Sequence, residues 1–136
     1  MDFAQSKHDE IKIHSEVITA IVRKATIEVE GVDRIASGFS KGILSLLGRR
    51  KFFRGVTVEE TKEKELKISV SVAVMFGVHI PTVVNKIQVN VREMLEQMAG
   101  IIPAQINVEV SRVTQDSMLQ NVVDKIKFNK KESGGG

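Results

Sequence analysis

The chain has 136 residues, 42% hydrophobic and 27% charged, with no cysteine, no tryptophan, no tyrosine and a net charge of +3. That length and balance fit one globular domain with a real core, and the missing cysteines exclude disulfides, Cys-ligated zinc, iron–sulfur clusters and thiol catalysis. The small net charge does not imply nucleic acid by itself, six Phe without Trp or Tyr argue against stacking platforms, and no apolar run approaches the ~18 residues of a membrane span.

Residues 1–9 read as a mobile arm without the basic-then-apolar pattern of a signal peptide. Glu10-Ile-Lys-Ile13 alternates briefly and is predicted as a first strand. Ser15 is a natural N-cap with Glu16 in the first turn. Val17, Ile18, Ile21, Val22 and Ala25 then fall on one helical stripe, which predicts a helix to about Val29, stopped by Gly31. Residues 32–39 read as a loop. A second, short helix from Ser40 would carry Ile43, Leu44, Leu46 and Leu47 and end at Gly48. So short a helix needs a neighbour to stay folded.

Val56 to Glu60 is predicted as a strand, joined by the charged turn Thr61-Lys-Glu-Lys-Glu65 to a strand from Leu66 to Phe76. Leu66, Ile68, Val70, Val72, Val74 and Phe76 share one face of that strand. Lys67, Ser69, Ser71, Ala73 and Met75 share the other, expected to be partly open. Pro81 suits the first turn of a helix, whose stripe reads Val84, Ile87, Val91, Met94, Leu95 and Met98, with Gly100 and Pro103 ending it. Ala104 to Val113 alternates again and predicts a last strand. Met118, Leu119, Val122, Val123 and Ile126 mark a C-terminal amphipathic helix within 114–128, which either covers the core or reaches a neighbouring subunit. Residues 129–136 form a polar, glycine-ended tail.

The fold class is therefore α+β: two layers, a βαββαβ-like antiparallel-rich sheet with two main helices on one face. The domain proper spans 10–113. Burying the apolar face of the long strand contributes on the order of 1.5–3 kcal/mol per side chain before entropy.

No pattern in the chain carries catalysis. His8, His14 and His79 lack metal-ligand spacing, although His8, Asp9 and His14 could bind a metal weakly in the arm. Ser37-Gly-Phe-Ser-Lys-Gly42 lacks the order of a phosphate loop, though Gly38 and Gly42 could offer amides to an anion. The acids at Glu59, Glu60, Glu63 and Glu65 are interleaved with lysines, as in a solvated turn. The expectation is a protein that is not an enzyme and takes no cofactor and no metal.

The candidate contact residues are Lys41, Arg49, Arg50, Lys51, Phe52, Phe53 and Arg54, five positive charges around two phenylalanines with no acid among them. Such a cluster serves as a solvated loop with two anchors, or meets anionic lipid, RNA phosphate or an acidic protein.

Several segments, taken in order, resemble the alkaline shock protein family of Gram-positive bacteria, the envelope stress response proteins also described as a domain of unknown function. They are Ile13-His-Ser-Glu-Val-Ile18, Glu28-Val-Glu-Gly-Val32, Gly42-Ile-Leu-Ser-Leu-Leu-Gly48, Gly55-Val-Thr-Val-Glu59, Val74-Met-Phe-Gly-Val-His-Ile-Pro81 and Ile106-Asn-Val-Glu-Val110. The family pattern has Tyr or His before the Gly-Val-x-Ile-Pro turn, where this chain has Phe76. The resemblance implies a small, abundant, cytoplasmic, non-enzymatic protein that self-assembles. It also implies a membrane-anchored partner, peripheral membrane association through it, and a response to envelope or alkaline stress. It carries over no catalytic residue. The alternative is a small RNA-binding module using the basic 41–54 segment.

Overall fold

The computed structural model describes residues 11–36, 51–53, 55–115 and 125–127. Its elements are α1 (Ser15–Ile27), β1 (Val32–Ile35), β2 (Lys51–Phe53), β3 (Val56–Glu60), β4 (Leu66–Met75), α2 (Ile80–Ala99) and β5 (Gln105–Thr114). Residues 125–127 are helical, inside the expected C-terminal helix. The expected helix from Ser40, the arm at 1–9 and the tail lie outside the described residues.

β4 is the central strand, and the sheet is built around its two edges. β5 runs parallel along one edge, from Lys67 to Met75. The other edge is shared by two antiparallel strands: β3 pairs Leu66 to Val70, and β1 pairs Val72 to Val74. β2 adds outside β3, also antiparallel. The architecture is the α+β, antiparallel-rich, two-layer arrangement that the hydrophobic periodicities predict.

The core forms where the helices cover one sheet face. Val56, Val58, Ile68, Val70, Val72, Val74 and Ile106 meet Ile18, Ile21, Val22 and Ala25 of α1 and Val83, Ile87, Val91 and Leu95 of α2. Two amides tie the layers. Asn90 Nδ2 donates to the Ala25 carbonyl across the helices (2.7 Å), and Gln88 Nε2 donates to the Ile106 carbonyl of β5 (3.2 Å).

Local chemistry sets the boundaries. Val17 and Ile18 donate to the His14 carbonyl, so His14, not Ser15, is the N-cap of α1, and no side chain caps it. α1 stops at Ile27, and Gly31, at φ 99°, turns the chain into β1; a Cβ there would lie 2.9 Å from Val83. α2 ends as expected at Gly100, which takes the left-handed conformation at φ 68° while Ile101 donates to Leu95.

Further expectations need correction. Residues 11–13 form no strand: Ile11 is 82% exposed, and Ile13 packs on the core as the chain enters α1. Residues 32–35 are a strand rather than loop; only its ends, Val32 and Ile35, pack against the core, while Asp33 and Arg34 point to solvent and pair at 3.0 Å. The stripe of α2 is Val83-Ile87-Val91-Leu95, a spacing of four, and Met98 is 68% exposed. The second face of β4 is partly open, as expected, at Lys67, Ser69 and Met75, and it is buried at its centre, at Ser71, Ala73 and the adjacent Thr57. Phe76 lies just past β4, 67% exposed, so it does not extend the buried face.

Candidate interaction surfaces

The basic segment enters and leaves the sheet at one residue. The Ala36 N–H donates to the Ser71 carbonyl (2.8 Å), and the Ser71 N–H donates to the Gly55 carbonyl (2.9 Å). Both ends of residues 37–54 are thus fixed to the point on β4 where β3 gives way to β1. Only glycine fits at the return. Gly55 has φ 85°, and a Cβ there would lie 2.0 Å from the Ala36 carbonyl oxygen. Of the candidate contact residues, Lys51, Phe52 and Phe53 form β2, in register with Val58, Thr57 and Val56 at an outer edge of the sheet. Lys41, Arg49, Arg50 and Arg54 lie outside the described residues.

The opposite edge belongs to β5, and the sequence reading missed it. β5 is ten residues long, and among the described residues no strand pairs with its outer side. A bulge interrupts it: Val72 faces Val110, but Ala73 faces Arg112. Ser111 is the extra residue, its hydroxyl 3.1 Å from the Ser71 hydroxyl and 3.4 Å from the Val72 carbonyl that accepts from it. The alternation of β5 showed a strand, but nothing local shows which strand ends up on an edge, because that depends on pairing partners far away in the chain.

The remaining candidates are not brought together. His14 caps α1 through its backbone and is exposed, and His79 caps α2, its Nδ1 2.8 Å from the Thr82 hydroxyl oxygen. Glu59 to Glu65 span the end of β3 and its turn, where Lys64 takes φ 62° and Glu65 N donates to Thr61 Oγ1. Among the described residues no cluster of three or more His, Asp or Glu is placed to hold a metal. A depression of about 510 Å³ lies between the end of α1 and the middle of α2. Its lining includes Glu28, Glu30, Asn85, Lys86 and Asn90. Glu28 is paired with Lys24 (3.4 Å) and Asn90 is committed to Ala25, and no nucleophile stands beside a base there. Among the described residues no helix is long and apolar enough to cross a membrane.

These features define a small two-layer α+β domain whose distinctive surfaces are sheet edges and a basic insertion. The chain belongs to the alkaline shock protein 23 family, described as having a cell envelope-related function, whose model matches residues 4–115. It is 30% identical over 122 residues to the uncharacterized protein YqhY of Bacillus subtilis (strain 168), covering 90% of each chain. It is 27% identical over 111 residues to the uncharacterized protein YloU of the same organism, covering 80% of this chain and 92% of that relative. No solved structure gives a significant match.

Proposed function

We propose that this protein is a non-enzymatic scaffold of cell-envelope homeostasis that associates with itself and binds a membrane-anchored protein partner. The partner would bring it to the membrane periphery from the cytoplasm. The observation that carries this reading is the acid-free basic segment held at both ends by Ser71. Anchoring both ends of an insertion lowers the conformational entropy lost when it docks. Five positive charges without a neutralising acid favour an acidic surface on the partner and speed the encounter. The family's cell envelope-related description supports the setting.

The test is capture from native membrane extract by the wild type and by a variant with Arg49, Arg50, Lys51 and Arg54 changed to alanine. The reading expects one membrane protein to be retained by the wild type and lost by the variant. Equal recovery by both removes the basic segment from the interface. Retention of RNA instead, falling steeply with salt and lost in Arg49→Ala/Arg50→Ala, would favour the nucleic-acid reading.

A further inference from the structure

We infer that the outer edge of β5 is the self-association surface, pairing antiparallel with β5 of a second copy about a two-fold axis between Val110 and Ser111. This deepens the self-association part of the proposed function and rests on it.

The backbone orientation comes first. Ser71 N donates to Gly55, so odd residues of β4 turn to β3 and Ile68 turns to β5. In the parallel register Ile68 then bonds to Gln105 and Asn107, which leaves the Ile106 carbonyl facing outward, where Gln88 of α2 donates to it. By the two-residue alternation of a strand, the polar groups of Val108 face outward as well. At the other end the Thr114 carbonyl faces β4, because Phe76 N donates to it (2.7 Å). By the same alternation Val113 faces outward. The bulge at Ser111 is what changes the parity between the two halves.

That change of parity selects a register. With the axis between Val110 and Ser111, Val108 of one copy lies opposite Val113 of the other. Both turn their amides and carbonyls outward, so they can exchange two hydrogen bonds. Both lie on the helix-covered face, in register with Val70 and Val74, and Val113 is 47% exposed in the single chain. The next pair is Glu109 opposite Arg112 of the second copy, and symmetry repeats it. Glu109 is in register with Ser71 and Arg112 with Ala73, so both belong to the other face of the sheet. Opposite charges therefore meet twice on one face while two valine pairs meet on the other, which is the self-complementarity an isologous contact requires. The paired segment runs from 107 to 114 and stops short of Ile106, whose outward carbonyl Gln88 already holds. A ten-residue edge is a template for strand addition, and the matched charges point to the same chain as the addition.

Charge reversal tests this on the full chain by sedimentation over a range of concentrations, with far-UV melting run alongside. The wild type is expected to dimerise or assemble further. Glu109→Arg and Arg112→Glu each place like charges opposite one another twice, and each should weaken association by on the order of tenfold or more. An equimolar mixture of the two single variants should associate again, because every cross-pair is then Arg opposite Glu. The double variant should associate like the wild type, which keeps the test decisive if one single variant folds poorly. Single variants that associate as well as the wild type would overturn the β5 edge while leaving self-association in place. A wild type that stays monomeric throughout would overturn both, and neither result bears on capture of the membrane partner. A mixture that stays monomeric would also overturn the assignment.

Discussion

Among the described residues the sheet has two outer edges, β2 and β5, and they are built differently. β2 is three residues long and lies within an acid-free basic segment. Short edges rich in positive charge resist strand pairing. β5 is ten residues long, and its features are selective rather than repulsive. Gln88 occupies the Ile106 carbonyl at one end, and the bulge at Ser111 lets only a partner with matching parity pair along its length. On the proposed reading, the basic segment serves recognition by charge and β5 serves backbone pairing. Both depend on β4, which holds β5 on one side and both anchors of the basic segment on the other.

Breaking β4 should abolish both surfaces at once. Val72 is fully buried at the centre of the strand, and Val72→Asp should cost about 5 kcal/mol or more and eliminate cooperative melting. A retained sharp transition would contradict the register of β4. Gly55→Ala acts on one edge only. It forces a side chain into left-handed backbone and against the Ala36 carbonyl, for a cost of about 2–3 kcal/mol in urea unfolding. Amide exchange should rise first at Ser71 and Ala36. A neutral result would mean that the two anchors do not touch.

Gln88→Ala acts on the other edge. It removes the donor to the Ile106 carbonyl, with an expected loss of about 1 kcal/mol and faster exchange along the start of β5. Lys24→Ala, which removes an exposed ion pair with Glu28, should change stability by no more than about 0.5 kcal/mol.

The sequence made the paired interior of this domain legible and its edges much less so. β4 and β3 were readable because buried and exposed positions alternate and a charged turn joins them. The two main helices were readable from apolar positions three and four apart, although α2 turns Val83 rather than Val84 or Met98 to the core. β1 was not readable: four residues with Asp33 and Arg34 in the middle show no alternation, and their strand conformation comes from pairing with Val72 to Val74 far along the chain. Ile11, Lys12 and Ile13 showed the reverse failure, an alternation with no strand partner. The basic cluster was legible as composition. Its anchoring at Ser71 was not, because two hydrogen bonds to one distant residue leave only a glycine as their trace. Glu109 and Arg112 looked like ordinary solvent-side charges until the bulge put them in one register and on one face.

On the proposed reading this family member carries two separable contact surfaces, the basic segment and the outer edge of β5, with which no strand pairs among the described residues. The direct measurement compares partner capture and self-association for two variants, the basic segment neutralised at Arg49, Arg50, Lys51 and Arg54, and the edge reversed by Glu109→Arg. The first variant is expected to lose the membrane partner and still self-associate, while the second becomes monomeric and still captures the partner, with lower avidity. Loss of both properties in either folded variant would contradict that reading.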